Sequence, residues 1–132
     1  MKELIIEAKL ENLEKVLDFI SNYIKDYPIK TQNQINIAID EVFSNIARYA
    51  YPHDTDEATV RIEVEVKEEI TITFEDYGIA YDPLTKQDPD TNLSAEERKI
   101  GGLGIFLVKK LMDSVQYKRI GEKNILIIKK SY

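Results

Sequence analysis

Residues 59–67 alternate without a break, with Val60, Ile62, Val64 and Val66 on one side and Arg61, Glu63 and Glu65 on the other. A period of two belongs to a strand with one dry face and one wet face, the usual state of an antiparallel sheet. Glu68-Glu69 turns the chain into a second strand whose inward residues are Ile70, Ile72 and Phe74. Two strands cannot hold such a face dry alone, so other elements must cover it. Upstream, Leu13, Val16, Leu17, Ile20, Tyr23, Ile24 and Tyr27 recur at spacings of three and four, the stripe of an amphipathic helix. Asn12 is placed to cap it and Pro28 to stop it. A second helix is expected from Thr31, where Thr31-x-x-Gln34 reads as a capping box. Its apolar face is Ile35, Ala38, Ile39, Val42, Phe43, Ile46 and Ala50, and Pro52 closes it.

Residues 3–10 alternate loosely around Leu4, Ile6, Ala8 and Leu10, which suggests a first strand. Residues 76–100 carry prolines, Asp and Thr with little periodicity, and so long an irregular stretch in a small domain is usually functional. Within it, Ser94-x-x-Glu97 can cap a short helical turn. A compact apolar helix from Gly101 to about Met112 follows, then a strand over 114–120, a turn at Gly121 and a last strand from Ile125 to Ile128. The order β-α-α-β-β-loop-α-β-β groups helices and strands rather than alternating them. It predicts an α+β fold: a two-layer sandwich of an antiparallel or mixed sheet and three helices, one domain spanning residues 1–132.

Bulk properties narrow the functions. The net charge is −6 with both signs mixed along the chain, a poor match to a phosphate backbone, so nucleic acid is not an expected partner. Cysteine is absent, which excludes disulfides and thiolate chemistry. No apolar run approaches the roughly 20 residues that span a bilayer, and Met1 to Leu10 has no signal-peptide core. A cytoplasmic protein with no membrane contact is expected.

Three segments carry chemistry. Glu41, Asn45 and Arg48, at i, i+4 and i+7, share one face of the second helix. They fit a solvated face. The sharper reading is a carboxylate able to take a proton beside an amide oxygen able to hold Mg²⁺, and the helix alone does not decide. Phe74-Glu75-Asp76-Tyr77-Gly78-Ile79-Ala80-Tyr81-Asp82-Pro83 ends a strand in Asp-x-Gly, which is either a plain turn or a carboxylate beside permissive backbone. Gly101-Gly102-Leu103-Gly104 opens an apolar helix, where free N–H groups and the helix dipole favour an anion. It is neither a Walker A loop nor a dinucleotide fingerprint.

In that order the three segments resemble the GHKL superfamily of ATPases, which includes gyrase, heat-shock chaperone, mismatch-repair and sensor histidine kinase domains. More closely, the chain is similar to the small stand-alone anti-sigma-factor serine/threonine kinases of bacteria. Asp40 to Tyr51 matches the first box, Phe74 to Pro83 the second and Gly101 to Asp113 the third, while Tyr117 and Gly121 also fit. The resemblance implies a Bergerat-type fold that binds ATP and Mg²⁺. It makes Glu41 the catalytic base, Asn45 the Mg²⁺ ligand and Asp76 the carboxylate that reads adenine. Gly78 and Ala80 would border the base, and Arg48 would join Asn45 at the nucleotide. Gly101, Gly102, Leu103 and Gly104 would hold phosphates under a lid at about 84–101, from which Arg98 and Lys99 reach the phosphate charge. Three positions depart from the pattern: Tyr49 where His is usual, Ala80 where Gly is usual, and Asn124 roughly where some relatives place Thr. The lone His53 is expected in a solvent-exposed loop. The implied partners are a STAS-type antagonist phosphorylated on Ser or Thr, a sigma factor, and a second copy in a homodimer. A non-catalytic module that binds ATP and grips a partner is the alternative.

Overall fold

The computed structural model describes residues 2–51, 56–65, 68–80, 83–85 and 103–132. Strand β1 (Lys2–Glu7) leads through a 3-10 turn at Leu10–Asn12 into α1 (Leu13–Ser21) and α2 (Ile29–Tyr49). Strands β2 (Glu57–Glu65) and β3 (Glu69–Asp76) follow, with a 3-10 turn at Pro83–Thr85. Helix α3 (Leu103–Leu111) precedes the hairpin of β4 (Ser114–Ile120) and β5 (Lys123–Ser131). The element order is the one expected. The sheet runs β1-β2-β3-β5-β4 and every pairing is antiparallel, so the mixed alternative falls away. Among the described residues no helix is long and apolar enough to cross a membrane.

Strand parity decides which face the helices cover. Ile72 pairs with Ile128 and Phe74 with Leu126, and all four are buried, as is Ile70. Against this face α2 lays Ile35, Ala38, Ile39, Val42 and Phe43, each almost wholly withdrawn from solvent. Val16, Ile20 and Ile24 complete the core on one side, and Ile105, Val108 and Met112 on the other. Of the apolar positions read from the sequence for the first two helices, Val16, Ile20, Ile24, Tyr27, Ile35, Ala38, Ile39, Val42 and Phe43 are in the core, while Leu13, Leu17, Tyr23 and Ile46 pack against it partly buried.

Several local expectations are corrected. Asn12 already has helical dihedrals (φ −92°, ψ 0°) because the 3-10 turn runs straight into α1. Its side chain makes no capping bond and instead donates to the Glu7 carbonyl at 2.9 Å. Helix α1 stops at Ser21, well before Pro28. The chain beyond it tightens through i→i−3 bonds from Tyr23, Ile24 and Tyr27, which still deliver Ile24 and Tyr27 to the core. The Thr31 capping box does not start α2. The helix begins at Ile29 after an extended Pro28, whose ring sets φ near the helical value. Gln32 reaches back to the Tyr27 carbonyl at 2.7 Å. Helix α3 is described from Leu103 onward, and β5 is longer than expected at both ends. Pro52, His53, Val66 and the Ser94-x-x-Glu97 turn lie outside the described residues, as do Arg98, Lys99, Gly101 and Gly102.

One junction fixes the helical layer against the sheet. The C-cap of α2, Ala50, accepts a hydrogen bond from the Ile79 N–H at 3.0 Å, just past the end of β3. Gly78 lies so close that a Cβ there would meet the Ala50 carbonyl oxygen at 2.3 Å and the Ala50 Cβ at 2.6 Å. Tyr51 adds a second tie, its hydroxyl accepting from the Tyr77 N–H (2.8 Å) and donating to the Glu57 carbonyl (2.9 Å).

Two outcomes follow for stability. Phe43→Ala should cost about 3–5 kcal/mol in urea unfolding, whereas Ile37→Ala on the exposed side of the same helix should stay within about 0.5 kcal/mol. Gly78→Ala should cost on the order of 1–3 kcal/mol by the same measurement, since the added methyl meets backbone that cannot swing aside.

Candidate functional site

Helix α2 presents Val42, Asn45, Ile46 and Tyr49 at i, i+3, i+4 and i+7, a single stripe beside its core face. The stripe forms one wall of a cleft with about 570 Å³ of empty space, part of it open to solvent. Phe74 and Leu126 make the floor, Ile105 and Val108 of α3 flank it, and Ile79 and Pro83 close the remaining side. Most of this lining is apolar. The polar atoms come chiefly from Asp76, Asn124, Asn45 and the two tyrosines, 49 and 117. An apolar slot with a few converging polar groups suits a flat, mostly apolar ligand with one polar edge.

Asp76 is the last residue of β3 and only 5% exposed. Its Oδ1 accepts from the Gly78 N–H at 2.9 Å and from Asn124 Nδ2 at 3.0 Å. Asn124 is its cross-strand partner on β5, itself buried. The Asn124 amide nitrogen also donates to the Ile79 carbonyl at 2.8 Å. Its Oδ1 accepts from the Tyr117 hydroxyl and from Arg119 Nη1 at 3.0 Å, and Arg119 also donates to the Gly78 carbonyl at 2.9 Å. The Asp-x-Gly segment is therefore a pinned structure rather than a plain turn: its amides and carbonyls are held by α2, β4 and β5 together.

The expected site residues divide by position. Asn45, Asp76 and Gly78 come together at the cleft and the junction beneath it. Glu41 stands one turn before Asn45, half-buried beside the lining rather than in it. Burial raises its pKa above the ordinary 4.5 and the neighbouring Asp40 raises it further, while Arg48 pulls it down. Arg48 is exposed, and Ala80 is exposed beyond Ile79. Leu103 and Gly104 are the first described residues of α3. Tyr49, at the position where His is usual in the resemblance, lines the cleft while staying 46% exposed.

Arg119, Tyr51 and Pro83 were not legible as site residues, and Asn124 was visible only as a departure. The hairpin turn at Gly121 pairs Arg119 with Asn124, which the sequence permits counting out. The pairing of Asn124 with Asp76 depends on the β3–β5 register, which no local pattern specifies.

Among the described residues no group of three or more His, Cys, Asp or Glu is placed to hold a metal ion. Mg²⁺ is a hard cation that takes oxygen ligands, and few of them from the protein when phosphates and water supply the rest. Asn45 is the cleft-lining side chain of that type on α2.

The family model of the histidine kinase-like ATPase domain matches residues 6–130. Curated relatives include the serine-protein kinase RsbW of Staphylococcus aureus (strain MSSA476), 33% identical over 91 residues that cover 64% of this chain and 57% of the relative. RsbW of Listeria monocytogenes is 31% identical over 87 residues, covering 62% and 55% respectively. The matched region thus spans little more than half the length of these relatives. Among solved structures, the histidine kinase domain of the Erythrobacter litoralis EL346 blue-light-activated histidine kinase aligns with a TM-score of 0.54 at 19% identity, covering 92% of this chain and 63% of that one. The Acinetobacter baumannii histidine kinase AdeS aligns at 0.52 and 15% identity, covering 99% and 68%. At those identities the two structures establish a shared fold. The match across nearly the whole sequence establishes more: this chain belongs to the histidine kinase-like ATPase domain family.

Proposed function

We propose that residues 1–132 act as one ATP-dependent protein serine/threonine kinase domain of the anti-sigma-factor type, which phosphorylates a STAS-type antagonist, holds a sigma factor, or does both. Glu41 carries this reading. Among the described residues it makes no hydrogen bond or ion pair, yet it is half-buried one turn from the cleft-lining Asn45. A module that only held nucleotide would have no use for a partly desolvated carboxylate there. The curated relatives named serine-protein kinase support the same class of reaction.

In this reading Asp76 accepts a hydrogen bond from the exocyclic amine of adenine, whose faces pack against the apolar cleft walls. Asn45 offers its amide oxygen to Mg²⁺. Gly104 and the amides opening α3 turn their N–H groups toward phosphate, joined by Gly101, Gly102, Arg98 and Lys99. Mg²⁺-ATP supplies the phosphoryl group when bound. Glu41 orients the acceptor hydroxyl of the partner's Ser or Thr and takes its proton as the oxygen attacks. The chain's overall negative charge does not favour ATP, so these local donors must outweigh it.

Incubating the purified protein with labelled ATP and a STAS-domain protein encoded beside it tests the assignment. Glu41→Gln should lower transfer by about 100-fold or more while ATP affinity changes only a few-fold. Bound ATP with no transfer to any such partner by the wild type would instead favour the regulatory module.

The pH dependence carries a sign. Glu41 works as a base only when ionised, and its pKa lies above the ordinary 4.5. The rate should therefore rise with pH through a carboxylate step displaced upward. Arg48→Ala removes the charge that pulls this pKa down, so it should shift the acid limb of a kcat profile to higher pH.

A further inference from the structure

The geometry points to Asn124 as the residue that sets purine selectivity, by occupying one oxygen of Asp76 and so fixing what the other can accept. This rests on the nucleotide reading of the cleft. Asp76 Oδ1 already has two donors, the Gly78 N–H and Asn124 Nδ2. Among the described residues no donor reaches Oδ2. With Oδ1 held as an acceptor on both sides, the carboxylate meets a ligand through Oδ2 as a second acceptor. It welcomes an amino group at the purine 6-position and opposes a 6-oxo oxygen.

The orientation of the Asn124 amide is what makes this work, and it is over-determined. Turned as observed, its oxygen receives the Tyr117 hydroxyl and Arg119 Nη1, while its nitrogen gives to Asp76, Ile79 and, at 3.4 Å, Gly78. Turned over, the amide would set its NH₂ against the Arg119 donor and its oxygen against a carboxylate and two carbonyls. Arg119 can only donate, so it forbids that state outright. Tyr117 and Arg119 of β4 therefore hold the amide, the amide holds Asp76, and Asp76 reads the base. Asn124 is a positioning residue: it lines the cleft, but acts through its strand partner.

ATP and ITP differ at the purine 6-position, amino against oxo, and their affinities in the presence of Mg²⁺ can be measured by calorimetry on the full chain. Wild type should prefer ATP by at least about tenfold, the scale of one hydrogen bond to a charged group. Asn124→Ala should narrow the ATP:ITP ratio by about tenfold, because Asp76 loses the donor that fixes Oδ1 and can then turn, so no fixed acceptor faces the purine 6-position. The near-isosteric Asn124→Asp serves if the alanine variant does not fold. It removes the amide donor to Asp76 Oδ1 at nearly constant shape, so the carboxylate loses its fixed orientation and ITP should gain relative to ATP in the same way. Tyr117→Phe, which frees one side of the amide, should move the ratio in the same direction by less. Asn124 as a mere plug would lower both affinities together and leave the ratio alone. An unchanged ratio in the folded variants, or no ATP preference in a wild type that binds both, overturns the inference while leaving the nucleotide site standing. A wild type that binds neither nucleotide overturns the nucleotide reading itself.

Discussion

Asp76 and Asn124 face each other at the last ladder position between the central strand and its neighbour, and both are buried. A buried carboxylate is costly unless donors surround it. Here the donors come from three directions: the backbone of its own turn, the opposite strand, and, through Asn124, the outer strand β4. Satisfying that one group fixes the course of residues 77–80. That course in turn decides where Gly78 and Ile79 meet the end of α2, and hence how the stripe carrying Asn45 stands over the cleft.

Helix α2 serves two surfaces at once. One face is the principal contribution to the core, through Ile35, Ile39 and Phe43. The adjoining stripe is the cleft wall, and Glu41 lies between that wall and solvent. A 3.6-residue period makes this possible, since a displacement of three or four residues turns a side chain only slightly about the axis. The site therefore inherits the rigidity of the core, which is what a carboxylate needs if it is to hold a hydroxyl in line with a phosphate.

Much of this was legible in the sequence because it is periodic. The alternation that predicted β2, the inward Ile70, Ile72 and Phe74, and the apolar face of α2 are all local repeats. The order of Glu41-Asn45, Asp76-x-Gly78 and the glycines before Ile105 likewise gave the family. Helix ends were less legible. Asn12 and the Thr31 box carry the right residue types, but a 3-10 turn and Pro28 set the boundaries instead. The hardest part to see was the network around Asn124. Its members are distributed over residues 76–79 and 117–124, and only the pairing of distant strands brings them together.

That dependence on pairing has a consequence for folding. Side chains on a strand alternate between faces, so a slip of one residue between β3 and β5 would turn Asn124 away from Asp76 and strand both in an unsatisfied state. The polar pair thus proofreads the sheet: mispaired chains bear a penalty that correctly paired chains escape. A ligand that recognises Asp76 would deepen the distinction, because its binding free energy is added only to the correct register.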